Sequence, residues 1–128
     1  MATMTRVTAA NLGAAFAGAA AGQQWGVLAT PVNGDLIPIG SGQGTLIAFR
    51  TTGTASTIVI DSVLTTQYGT DQDLTVTLAA TDFQFIFIDS DGYNRFDQGP
   101  NNPANVGLLK ISTYSSTVGL TVYGVTIP

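Results

Sequence analysis

Six residues with chemically useful side chains crowd into FIFIDSDGYNRFD, residues 85–97: Asp89, Asp91, Tyr93, Asn94, Arg95 and Asp97. Oxygen donors at this density suggest a calcium loop, and carboxylates two residues apart suggest acid–base work. An EF-hand loop wants oxygen ligands at positions 1, 3 and 5, glycine at 6 and glutamate at 12. Counted from Asp89, positions 3, 5, 6 and 12 are Asp91, Tyr93, Asn94 and Pro100, so three of the five requirements fail. Asp89 and Asp91 remain weak metal candidates, in need of backbone carbonyls or of Asp71 or Asp73 to complete a shell. As an extended pair they lie about 6–7 Å apart on one face. Glycosidase carboxylates must instead flank a substrate across a cleft. The simpler reading is a turn whose Asp and Asn side chains take local N–H groups.

The rest of the composition narrows the chemistry further. The chain of 128 residues has no Cys, His or Glu. Imidazole-based nucleophilic catalysis is therefore closed, and zinc loses its usual ligands. Neither an enzyme nor a cofactor is expected. GSGQG at 40–44 lacks the Lys-Ser/Thr of a phosphate loop and reads as a turn. Net charge is −4, and the four cations Arg6, Arg50, Arg95 and Lys110 are scattered. Nucleic acid wants clustered basic residues, and a membrane surface wants a basic amphipathic segment, so neither partner is expected.

Among aromatic residues, Trp25, Tyr68, Tyr93, Phe96 and Tyr114 are the candidates for exposure. They fall mostly in different turns, which suits interface anchoring better than a sugar platform. GYNRF (92–96) places Arg95 between Tyr93 and Phe96, a combination enriched in interface cores. These three residues are expected to face a neighbour from a projecting loop, with Arg95 also able to neutralise a nearby Asp.

Elements rich in Val, Ile, Thr, Phe and Tyr position that loop. Strands are expected within 26–30, 35–40, 45–50, 56–63, 73–80, 83–88, 106–114 and 119–127, with turn-forming residues between them. Pro31 and Pro38 confine the first two to sheet edges or strand ends. DLTVTLAA alternates Leu74, Val76 and Leu78 against Thr75 and Thr77, giving one buried and one threonine-covered face. In the last strand Gly124 suggests a bulge. FQFIFI is apolar on both faces, so it lies centrally or offers its second face to another chain. Charged residues are 9% of the chain and threonine alone supplies nineteen, so polar surface is largely uncharged.

The fold expected is all-β, an antiparallel β-sandwich or jelly roll over 26–128, preceded by an Ala/Gly-rich arm or short helix over 1–25. Within the arm, 7–21 reads as a helix capped by Thr8, with Leu12 and Phe16 on one side and small residues suited to close approach. Thr8, Asn11 and three glycines dilute it too far for a secretory signal. Leu12, Phe16 and Trp25 are its expected contact residues, toward the chain's own body or a neighbour. Fully extended, such an arm reaches about 80 Å.

VTAANLGAAFAGAAAG, GTLIAFRTTGTASTIVIDSV, YGTDQDLTVTL and ISTYSSTVGLTVYGVTIP together cover most of the chain. In this succession it resembles the small capsid decoration (cement) proteins encoded among the head genes of tailed bacteriophages, especially those infecting actinobacteria. The resemblance implies a β-sandwich or jelly-roll body, often trimeric, seated on the capsid exterior and bound to the major capsid protein. It carries no catalytic residues. Two other readings stand beside it: a carbohydrate-binding β-sandwich, with or without calcium, and a tail or fibre component of the same virion.

Overall fold

The computed structural model describes residues 25–39, 44–65, 67–69 and 72–126. Leu12, Phe16, the expected helix over 7–21, most of the GSGQG turn and Asp71 lie outside these residues, as does the side chain of Trp25. The described elements are β1 (Trp25–Leu28), β2 (Asp35–Pro38), β3 (Thr45–Thr51), β4 (Ser56–Ile60), β5 (Leu74–Leu78) and β6 (Phe83–Ile88), then α1 (Ser90–Phe96), a 3-10 turn (Pro103–Asn105), β7 (Leu108–Tyr114) and β8 (Leu120–Thr126).

The strands form two four-stranded sheets, ordered β1-β8-β3-β6 and β2-β7-β4-β5. Every pairing is antiparallel. β1 and β2 are edge strands, as Pro31 and Pro38 require. Two expectations are corrected. Of the two placements expected for FQFIFI, the central one falls, because it is an edge strand, β6. The ladder also runs unbroken through Gly124, opposite Ile47, whereas the register shift falls between Val59 and Ile60 on β4.

Alternation sorts the side chains. Ile47, Phe49, Ile88, Leu120 and Val122 of the first sheet share one buried cluster with Ile37, Ile58, Ile60, Val76, Leu78, Leu109 and Ile111 of the second. Each such side chain contributes about 1.5–3 kcal/mol by leaving water. The loops close over this core with hydrogen bonds. Gly119, with φ +70, turns the chain between β7 and β8, where a Cβ would stand 2.9 Å from Thr52 Oγ1. That conformation and that space both call for glycine.

Tyr114 joins β7 to the β1–β2 loop. Its backbone N–H donates to Asn33 Oδ1 (2.8 Å) and its hydroxyl to Asp35 Oδ2 (2.9 Å), which also accepts from Val32 N–H at 3.0 Å. Burial, the hydrogen bond to Asp35 and the Asp35 charge all push the phenol above its ordinary range. A raised phenol pKa favours the folded state below the unfolded value near 10, and that contribution is lost as pH climbs past it. Tyr114→Phe is therefore expected to cost about 1–2 kcal/mol at neutral pH, because Asp35 retains one donor. Urea unfolding above pH 10 should show the gap to wild type narrowing; a gap constant with pH would contradict this assignment.

Candidate contact surface

At one end of the two sheets, β6 delivers Ile88 into the core and Asp89 to the start of α1. The sequence reads this stretch as a turn, and here it is corrected to a seven-residue helix. Asp89 is its N-cap, with Oδ1 accepting Gly92 N–H at 2.8 Å. Asp91 lies in the first turn and Arg95 in the last, each where the helix dipole favours its charge. The Asp89/Asp91 pair thus opens a helix instead of lying along one extended face. Gly92 lets the helix settle on β6, since a Cβ there would come within 3.0 Å of Ile88 Cγ2.

A helix this short, containing Gly92 and Asn94, is marginal by itself. Its carbonyls are satisfied by its own C-cap and by the body. Tyr93 O accepts the Asp97 N–H (2.8 Å), Arg95 O the Val63 N–H (2.8 Å), and Phe96 O the Gln98 amide (3.3 Å). Gln98 is buried and also donates to Asp61 O at 3.1 Å. Asp97 Oδ1 accepts from Gly99 N–H (3.0 Å) and Gly107 N–H (2.8 Å). Partial burial, the Asp97 charge and a hydrogen bond to Asp97 raise the Tyr93 hydroxyl above the usual phenol range.

The three residues expected to face outward divide. Phe96 is 3% exposed and belongs to the core cluster, which corrects its outward placement: it is buried in the same cluster as Ile88 of β6 and Ile111 of β7. Tyr93 is half-buried against the same cluster. Arg95 is half-buried at the helix end, its guanidinium 4.8 Å above the Phe96 ring and donating to the Gln72 carbonyl. It therefore staples the β4–β5 loop to α1. Tyr114, an exposed aromatic on sequence grounds, is buried as well.

Two apolar loop residues that sequence patterning does not single out, Leu64 and Val106, join Tyr68, whose exposure the sequence suggests. Leu64 and Val106 are exposed, and Tyr68 is 85% exposed. Leu64 accepts the Gln72 N–H through its carbonyl, next to the Arg95 staple, and Val106 precedes the Gly107 bonded to Asp97. The arrangement is a braced helix end flanked by apolar loop residues, suited to contact more than to chemistry. Among the described residues, no three Asp side chains gather as metal donors, and no helix is long and apolar enough to cross a membrane. No protein family, curated protein or solved structure matches the chain.

Proposed function

We propose that this chain is a virion structural protein, a decoration protein that binds the outside of a major capsid protein shell as a homotrimer and stiffens it. Residues 26–128 would form a β-sandwich of jelly-roll type behind an N-terminal arm. Strand order supports the jelly-roll reading: consecutive strands change sheets at every connection except β4–β5. That is how two interleaved Greek keys are wound.

The observation that carries shell binding is the α1 end, where Leu64 and Val106 are exposed beside a helix fixed by Asp89, Asp97 and Gln98, with Tyr68 exposed on the β4–β5 loop. A surface already held rigid loses little side-chain entropy on docking. A partner that binds the assembled shell, and not its separated subunits, stabilises it by mass action.

Purified capsids of the encoding phage, stripped of this protein, should take up the recombinant chain saturably and resist heat better once loaded. Leu64→Asp with Val106→Asp should lower affinity at least about tenfold, the effect of losing roughly 1.4 kcal/mol, while leaving the melting of the unbound protein nearly unchanged. Absence of uptake, or uptake indifferent to both aspartates, would refute the proposal.

A further inference from the structure

Four strands end the two sheets: β1 and β6 in the first, β2 and β5 in the second. An edge strand shows unpaired backbone groups, and proteins blunt such edges with shortness, proline, charge or bulges. β1 and β2 have four residues each, and β2 adds Asp35 and Pro38. β5 is longer, but Thr75 and Thr77 give it a polar outer row. β6 has neither protection. Its six residues, Phe83–Ile88, include no charge and no proline, and its register with β3 runs without a bulge. Phe85 is 60% and Phe87 54% exposed.

The phase of the β3–β6 ladder tells which backbone groups point away from β3. Thr51 N–H donates to Asp82 O at 3.0 Å, and these residues stand opposite each other one step beyond Arg50 and Phe83. In an antiparallel ladder, opposed residues that exchange hydrogen bonds alternate with opposed residues that do not. Gln84, Ile86 and Ile88 therefore bond to β3, and the N–H and C=O groups of Phe83, Phe85 and Phe87 point outward. Among the described residues no strand takes them up.

We infer that β6 pairs antiparallel with β6 of a second copy, about a two-fold axis at Phe85. The outward groups are arranged symmetrically about that residue, so an identical strand offers them at the same spacing. One register uses them all: Phe85 stands opposite the second copy's Phe85, and Phe83 and Phe87 stand opposite its Phe87 and Phe83. Each of these pairs exchanges two hydrogen bonds, and the two four-stranded sheets become one of eight. Phenylalanine meets phenylalanine at every pair, and such aromatic pairs stabilise a ladder. The Phe83 and Phe85 rings already stack at 6.3 Å, so the second copy lengthens an existing row. Asp82 and Asp89 bracket the strand outside the paired residues, so no charge enters the ladder. A contact made by one strand is small, which makes the pairing reversible and dependent on concentration. Being two-fold, it cannot close a ring of three and is separate from any trimer contact. The ladder uses none of Leu64, Tyr68 and Val106, so it can fail while shell binding stands, and the reverse.

Since the chain has no cysteine, introduced cysteines report the register directly. Opposed residues in a bonded pair have Cα atoms about 5.5 Å apart, within disulfide range. With diamide as oxidant, full-length Phe85→Cys should form a disulfide between chains about tenfold or more faster than Thr75→Cys on β5. Phe83→Cys and Phe87→Cys should each link poorly alone and efficiently when mixed, because residue 83 lies about 13 Å along the ladder from its own copy. In the unmodified protein, the amides of Phe83, Phe85 and Phe87 should exchange more slowly in concentrated than in dilute solution. Phe85→Lys places like charges opposite each other at the axis and should remove that dependence. By light scattering, the concentrated unmodified protein should have at least twice the mass of this variant. Equal linking at residues 75 and 85, mixing without effect, amide exchange indifferent to concentration, or equal masses would each overturn the inference.

Discussion

Phe96→Ala is expected to lower the free energy of unfolding by about 3–5 kcal/mol, the range for removing a buried aromatic ring from a packed core. The loss should exceed simple transfer because the ring has two roles. It fills the core beneath α1, and it supplies the surface over which the Arg95 guanidinium lies at 4.8 Å. Without it, a seven-residue helix containing Gly92 and Asn94 keeps its Asp89 cap but loses its apolar anchor. Hydrogen exchange should therefore rise first in 90–97 and in the 61–65 stretch bonded to Arg95. Phe85→Ala provides the contrast: its ring is mostly exposed, and its loss should cost less than about 1 kcal/mol. Equal effects in urea titrations would mean that the burial of Phe96 does not describe the protein in solution.

Much of the strand pattern is readable from residue type. FQFIFI is β6 end to end, and prolines put β1 and β2 at edges. Strand ends are less readable because local hydrogen bonds decide them. β4 stops at Ile60 because the chain turns where Ser62 N–H takes Asp73 Oδ1 (2.9 Å), although Val63 continues the apolar run. β7 begins after Gly107, whose φ of +77 and bond to Asp97 hold it in a turn. Alternation also tells faces and not neighbours, so a strand apolar on both sides reads equally as a central strand or as an edge strand with an outward apolar face.

The contact loop shows the same division. Asp, Gly and Asn are turn formers, and their density hides a helix. A capping Asp89, an acidic first turn and a basic last turn are its start and stop signals, visible but weak in seven residues. Which of Tyr93, Arg95 and Phe96 points inward depends on how α1 lies on the sheets, and nothing local encodes that.

Asp97→Ala should be the second most damaging single change, at about 3 kcal/mol. One carboxylate oxygen holds Gly99 N–H at 3.0 Å and Gly107 N–H at 2.8 Å, and the group also bonds the Tyr93 hydroxyl. Hydrogen bonds to a charged group are worth about 1.5–3 kcal/mol each, and bonds sharing one acceptor are not additive. Asp97→Asn keeps a carbonyl oxygen and should recover roughly half of the loss. Tyr93 gives an independent readout. Of the three causes that raise its pKa, burial survives the substitution while the Asp97 charge and hydrogen bond vanish. Its titration, followed by phenolate absorbance against a Tyr93→Phe control, should move down toward 10. The raised pKa favours folding below about pH 10 and the benefit fades above it, so Asp97→Ala should also show a shallower alkaline loss of stability than wild type. Shell uptake should fall in the same variant although no exposed side chain has changed, because Val106 and the end of α1 are placed by that carboxylate. Stability within about 0.5 kcal/mol of wild type and an unmoved Tyr93 titration would show that Asp97 does not organise this end of the molecule.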